Sequence, residues 1–310
     1  MNTFRIIDQS DFIPDISIAM LAYNHENFIV DALESVLMQK TSYTYKIIIA
    51  EDCSTDRTRE ILLDYQRRYP NKIKLILQNK NVGAYKNNIN LLTNLEGKYI
   101  AALEGDDYWT DDNKLQKQAD FLEANKDYSI CWTKYLVKNE NEKSSNLEQP
   151  GWVNQVEQNK DLTFDLNTIF TPYCTYTLTA MFRVKGFDFK LLNDLNYVKD
   201  NTLYAICLTQ GKGILLNFTS AVYRVHDGGI YSKVSVFKQR YYSYLNMKEI
   251  IDKIPGCDNE NLRYIRDFLF YKSVKYYPSQ FDKEYWHLIS NSYKFYGIKK
   301  TLKFIKSRYK

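Results

Sequence analysis

The sequence predicts an α/β fold, with a mostly parallel central sheet, helices on both of its faces, and a helical extension at the C-terminus. Three observations predict it. Short β-branched runs alternate with helix-period segments through the first 125 residues, and strand–helix units of this spacing pack a parallel sheet between helices. Polar clusters fall just past the end of each run, where open α/β sheets bind their ligands. After Gly229 the pattern becomes helical and rich in Tyr and Lys.

In order, Ile16–Leu21 reads as a buried strand, and residues 27–38 as a helix with Phe28, Ala32 and Val36 on one face. Lys46–Ala50 is the second strand, and Thr55–Tyr69 a helix stopped by Pro70. Ile73–Leu77 and Tyr99–Leu103 are further strands, each followed by a helix, over residues 85–95 and 111–125. From 138 to 175 periodicity is lost, which predicts a surface excursion or lid on the acceptor side of a cleft. Tyr176–Val184 and Gly213–Val225 resume strand character around a helix near Asp200–Gln210. The expected division is a 1–230 domain and a 231–310 extension.

Composition narrows the function. Hydrophobic residues make up 45% and charged residues 25%, as in an ordinary globular protein. No basic start with an apolar run is visible at the N-terminus, and no apolar stretch approaches the roughly 18 residues of a membrane span. A cytoplasmic location is therefore expected. The five cysteines are odd in number and unclustered, so free, mostly buried thiols are expected rather than disulfides or a zinc site. Residues 231–310 carry 17 Lys/Arg against 7 Asp/Glu, whereas the rest holds 25 against 30. A basic end on a mildly acidic body points to an anionic surface as partner.

Glu104-Gly105-Asp106-Asp107 is the sharpest local feature. Carboxylates this close repel one another, and a site that keeps them ionised supplies a cation. Oxygen ligands suit Mg²⁺ or Mn²⁺, which take one or two protein carboxylates and draw the rest from phosphate and water. The alternative is a row of solvated acids ahead of the helix that starts near Asp111.

Five segments together carry a family resemblance: ISIAMLAYNHENFIVDALESVLMQ from Ile16, KIIIAEDCSTDRT from Lys46, NKNVGAYKNN from Asn79, GKYIAALEGDDYW from Gly97, and YRVHDGG at 223–229. In this order they resemble the family 2 glycosyltransferases, which have the GT-A nucleotide-sugar-binding fold and invert the anomeric centre. The resemblance spans roughly residues 14–230. It implies that Ala22, Tyr23 and Glu26 line the base and ribose pocket, that Asp52 accepts from the base imide and so favours uracil, and that Lys86 stands where the family often has arginine. Glu104 and Asp106 match the first and last places of a D-x-D motif, with Glu104 a departure. Asp106 is the expected direct ligand of Mn²⁺ or Mg²⁺, with Asp107 the contender. Asp200 matches the catalytic base, although the acidic pair is broken by Lys199, whose ammonium would lower the Asp200 pKa if the side chains met. His226 would complete the metal shell, Arg224 would grip the diphosphate, and Gly228-Gly229 would let backbone approach phosphate. His25 and His287 receive no role. Tyr108 and Trp109 either pack beneath the acceptor side or stack on a sugar.

The implied reaction moves a sugar from a nucleotide diphosphate donor, UDP-linked by the role the resemblance gives Asp52, to a hydroxyl of a glycan or lipid-linked glycan. At the C-terminus Ile298, Leu302, Ile305 and Tyr309 share a helical face flanked by Lys299, Lys300, Lys303, Lys306 and Arg308. This is the pattern either of a helix lying on the inner face of the cell membrane or of one docked on the protein with its lysines in water. Competing readings are an inert transferase-like carbohydrate-binding or scaffold protein, against which Asp52, Asp106, Asp200 and His226 count, and a sugar nucleotidylyltransferase, which would show a Gly-rich loop after the first strand. A dinucleotide dehydrogenase is excluded by the missing G-x-G-x-x-G. No nucleic-acid partner is expected.

Overall fold

The computed structural model describes residues 4–142, 146–155, 160–170, 173–229 and 234–278, with a few positions between 283 and 299. The chain forms two compact units, one of Met1–Asp194 with Val198–His226, the other of Leu195–Tyr197 with Asp227–Lys310.

The first unit is built on one mixed sheet. Its parallel half contains β2 (Ile16–Ala22), β3 (Tyr45–Glu51), β4 (Ile73–Gln78) and β5 (Tyr99–Ala102), in the order β4-β3-β2-β5. β3 and β4 are buried at every position, because helices cover both faces and leave no solvent side for an alternating pattern. Between them run α1 (Ile29–Leu37), α2 (Thr58–Arg68) and α3 (Ala84–Leu92). α1 buries Ile29, Ala32, Leu33 and Val36, spaced to fall on one helical stripe. Gly97 turns the chain into β5 at φ +92°, and a Cβ there would lie 2.2 Å from the Pro14 carbonyl oxygen, so only glycine fits. β1 (Phe4–Ile7), with no counterpart in the sequence reading, adds antiparallel to the outer edge of β4.

The other half of the sheet positions the site. β10 (Met181–Arg183) runs antiparallel between β5 and β7 (Tyr128–Asn139), and β7 pairs in parallel with β11 (Lys212–Val225). Register shifts near Leu216 and Thr219 bend β11, as bulges do. Its end meets the two-residue β6 (Tyr108–Trp109), with Ala221 opposite Trp109 and Val222 opposite Tyr108. This pairing lays the acidic run beside Tyr223–His226. α4 (Lys114–Ala124) and α5 (Asp200–Leu208) complete the unit, α5 beginning at Asp200.

Two expectations change. Tyr176–Val184 is not one strand: Thr177–Thr179 forms a 3₁₀ turn, and only Met181–Arg183 joins the sheet. The 138–175 stretch is not wholly a surface excursion, because β8 (Leu147–Glu148) pairs with β7 and β9 (Leu162–Phe164) pairs with β11. Trp152 is also buried and donates its indole N–H to the Tyr135 hydroxyl at 3.2 Å.

The second unit contains α6 (Val236–Lys253) and α7 (Glu260–Lys275), capped by the side chains of Ser235 and Asn259. Its core holds Tyr244, Phe270, Val274, Tyr277 and Ile289. The Glu249 carboxylate accepts the backbone N–H groups of Asn196 and Tyr197. The apolar helical face expected at Ile298, Leu302, Ile305 and Tyr309 lies outside the described residues, as does His287. Among the described residues, no helix is long and apolar enough to cross a membrane. All five cysteines are free, and all but Cys53 are buried.

Candidate active site

The acidic loop follows β5 and hugs β2, with Gly105 donating its N–H to the Leu21 carbonyl at 3.0 Å. A Cβ on Gly105 would come within 2.8 Å of both His25 Nδ1 and Ile29 Cδ1, so the loop can lie this close only with glycine. The three carboxyl groups then face different surroundings. Asp107 is buried and accepts the backbone N–H of Arg224 at 2.8 Å. Burial, then the charges of Asp106 and Glu104, push its pKa well up. It ties the acidic loop to β11.

Asp106 differs. Its Oδ2 lies 3.2 Å from His226 Nε2 and 3.6 Å from His25 Nε2. Although burial opposes ionisation, the His226 hydrogen bond and the charge of His25 hold the Asp106 carboxyl below its ordinary value. Burial in turn lowers the His25 pKa, outweighing the pull of Asp106. His25 Nδ1 is buried and has no hydrogen-bond partner among the described residues. The sequence reading gave His25 no role; the only signal for it was its place in the polar cluster just after β2.

This donor set fits a divalent cation of the Mg²⁺ or Mn²⁺ kind. An oxygen and a nitrogen 3.2 Å apart can share one ion at about 2.1 Å from each, and such ions need only one or two protein ligands. No group of three or more His, Cys, Asp or Glu able to hold a metal by itself occurs among the described residues.

Arg224 is enclosed by protein groups. Its side chain is 4% exposed; Nε donates to Glu140 Oε1 at 2.9 Å, one terminal nitrogen to the Asp106 carbonyl at 3.1 Å, and the other to the Asp31 carboxylate. The guanidinium also lies over the rings of Tyr108, 4.4 Å away, and Phe28, 5.3 Å away. It ties the backbone of the acidic loop to α1 and to the end of β7.

At the other end of the loop, Glu104 senses Asp200. Burial, then Asp106, then Asp200 push the Glu104 pKa up to about 8. Asp200 Oδ2 accepts from the hydroxyls of Tyr173 and Thr177, each 3.4 Å away. Lys199 does lower the Asp200 pKa, but burial is the larger effect and the net direction is upward, toward a stronger base.

The nucleotide-side residues are arranged less directly. Asp52 is buried just past β3, and its two oxygens accept the backbone N–H groups of Val82 at 2.7 Å and Gly83 at 2.9 Å. It holds the 79–83 turn that leads into α3. Ala22 is buried at the end of β2 and accepts the Asp52 N–H, while Tyr23 is 41% exposed. Glu26 ties two loops together, accepting from Arg57 N and donating its own N–H to Asp56. Lys86 is exposed on the first turn of α3. Trp109 is packed, not stacked on a ligand: it is buried and its indole N–H bonds the Leu178 carbonyl.

Residues 17–185 match the family model described as glycosyl transferase family 2. The chain belongs to that family. It is 31% identical over 232 residues to an uncharacterized protein of Mycobacterium tuberculosis, covering 73% of this chain and 63% of the relative, so it spans less than two thirds of that protein's length. It is 27% identical to an Escherichia coli UDP-Glc:alpha-D-GlcNAc-diphosphoundecaprenol beta-1,3-glucosyltransferase, over 69% of this chain and 79% of that one. Among solved structures, S. aureus TarS in complex with UDP-GlcNAc superposes with a TM-score of 0.58 at 18% identity, covering 94% of this chain and 78% of that one. A Pyrobaculum calidifontis mannosyltransferase in complex with GDP-Man and Mn²⁺ gives 0.57 at 13% identity, covering 96% and 85%. At these identities the structures establish the GT-A-like fold of this family 2 chain and nothing finer.

Proposed function

We propose that this chain transfers a sugar, with inversion, from a UDP-linked donor to a hydroxyl of a glycan or lipid-linked glycan. One observation carries the reading: on a single loop Asp106 meets His226 at 3.2 Å while Glu104, two residues earlier, lies within the electrostatic reach of Asp200. The named Escherichia coli relative, acting on a UDP-Glc donor and a diphosphoundecaprenol-linked acceptor, supports the substrate classes.

In this reading Asp52 orders the turn beside the base, with Ala22, Tyr23 and Glu26 around the nucleoside and Lys86 near the phosphates. Asp106 and His226 are the residues that would hold Mn²⁺ or Mg²⁺, which when bound offsets negative charge on the diphosphate. Glu104 closes the acidic loop toward the reacting sugar. Asp200, its basicity raised by burial, accepts the acceptor hydroxyl proton as that oxygen attacks the anomeric carbon. Arg224 holds the loop in place from behind.

The test is a thermal-shift screen of UDP, UDP-glucose and GDP-mannose with and without Mn²⁺, since a ligand that binds only the native state raises its melting point. A shift for UDP compounds that grows with Mn²⁺ supports the donor class; none, or a preference for GDP-mannose, rejects it. An Asp200→Asn variant that turns over normally removes Asp200 as the base. The basic C-terminal segment extends the proposal to peripheral attachment on an anionic membrane, and unchanged liposome co-sedimentation of a chain ending at Gly297 rejects that part.

A further inference from the structure

Tyr173 stands beside Asp200 and is 41% exposed. Its hydroxyl lies 3.4 Å from Asp200 Oδ2 and 3.2 Å from Asn201 Oδ1, so its one proton is shared between the two oxygens. Thr177 donates to the same Oδ2 at 3.4 Å. The ring is braced from within: Phe170 stacks on it at 6.0 Å and 26°, and Tyr176 meets it edge-on at 5.7 Å and 71°. Tyr176 in turn packs against Tyr223 at 5.4 Å and Tyr135 at 4.5 Å. A side chain braced by two rings and 41% exposed is a fixed surface.

What lies on that surface follows from the base. An acceptor hydroxyl that gives its proton to Asp200 must come within about 3 Å of the carboxylate. The Tyr173 hydroxyl is 3.4 Å from that carboxylate, so an acceptor that reaches Asp200 arrives beside Tyr173. The C–H face of a sugar ring is the partner that suits an exposed aromatic face.

We infer that Tyr173 is the acceptor platform, taking the apolar face of a pyranose on its ring while its hydroxyl holds Asp200 through Oδ2. The inference rests on Asp200 being the base. Oδ1 then takes the acceptor proton, the acceptor oxygen bonds the anomeric carbon, and the anomeric C–O bond to the diphosphate breaks with its electron pair leaving on the diphosphate. Tyr173 forms no covalent bond; it positions both acceptor and base.

The experiment uses the full chain with UDP-glucose as donor and octyl N-acetylglucosaminides, α and β, as acceptor probes. Tyr173→Ala is expected to raise the acceptor KM at least about tenfold while leaving the UDP-glucose KM within about twofold. Tyr173→Trp, which keeps a platform, restores the acceptor KM and guards against misfolding as the cause. Tyr173→Phe keeps the acceptor KM but lowers kcat and moves the acid limb of its pH profile upward, because a hydrogen bond that favoured ionised Asp200 is gone. An unchanged acceptor KM in Tyr173→Ala, or an equal rise in both KM values, overturns the inference. If Asp200→Asn is inactive while the Tyr173 variants match the wild type, only the platform falls. If Asp200→Asn is active, or the wild type transfers to neither probe, the underlying reading falls and the platform with it.

Discussion

His226 Nε2 lies 3.2 Å from Asp106 Oδ2, although 120 positions separate the two in the chain. The short pairing of β6 with β11 brings them together, and the Asp107 carboxylate bonded to the Arg224 N–H holds that junction closed. Asp106 and Asp107 are neighbours with opposite assignments, one turned toward histidines and the other toward backbone.

That difference is measurable. Asp106→Asn and His226→Ala should each weaken Mn²⁺ binding at least about tenfold in titration calorimetry, with the fold retained. Asp107→Asn should lower the melting temperature and leave Mn²⁺ affinity of the folded protein nearly unchanged. Equal loss of Mn²⁺ binding in all three would mean that both aspartates are ligands.

Arg224→Lys should behave as a severe substitution. An ammonium cannot replace the planar fork that reaches Glu140, Asp31 and the Asp106 carbonyl, nor the contact with Tyr108. A loss of about 1–3 kcal/mol is expected in denaturant unfolding, because buried hydrogen-bonding groups lose their partners. A variant as stable as the wild type, but with weakened donor binding, would restore Arg224 to the diphosphate.

Gly105→Ala should cost about 1–3 kcal/mol by overpacking, because its methyl would overlap His25 Nδ1 and Ile29 Cδ1 unless the loop lifts. The lifted loop should also bind Mn²⁺ less well. Unaltered stability and unaltered Mn²⁺ affinity would show that the close approach is unimportant.

Lys114 supplies a pH test away from the reacting groups. It is fully buried, bonded to Gln118 and lying over Trp109, and burial lowers its pKa to about 7. Below that value the folded protein carries the full cost of a buried ammonium. Between about 7 and the ordinary 10.5 the unfolded chain binds more protons than the folded one, so stability from this group rises with pH. Melting temperatures of wild type and Lys114→Met should therefore diverge most at pH 6 and converge toward pH 9. Parallel curves would place the Lys114 pKa at its ordinary value.

The parallel half of the fold was legible because its strands are unbroken apolar runs and its helices short amphipathic stripes, both decided by nearby residues. β7 was not. Tyr128–Asn139 mixes Ser129, Cys131, Thr133 and Lys134 among its apolar residues, and its place is fixed by pairing with β11 more than 80 positions on. Within the candidate site, Asp106, Asp200 and His226 were pointed to by the family resemblance and by their order along the chain. The contacts that consume Arg224 were not, since Asp31 lies 193 positions before it and an arginine beside acids looks the same whether it faces protein or phosphate. His25 was missed for a similar reason: a histidine in a polar loop acquires meaning only from the carboxylate 81 positions later that folds against it.

The bent β11 also sets an order in time. β2 to β5 join through short crossovers, whereas the ion pair of residues waits for a strand that must travel back from far along the chain, and distant closures are slow. During refolding, a fluorescent UDP analogue should therefore find its pocket before Mn²⁺ finds its ligands, so that the protein passes through a stage able to hold a nucleotide and unable to use it.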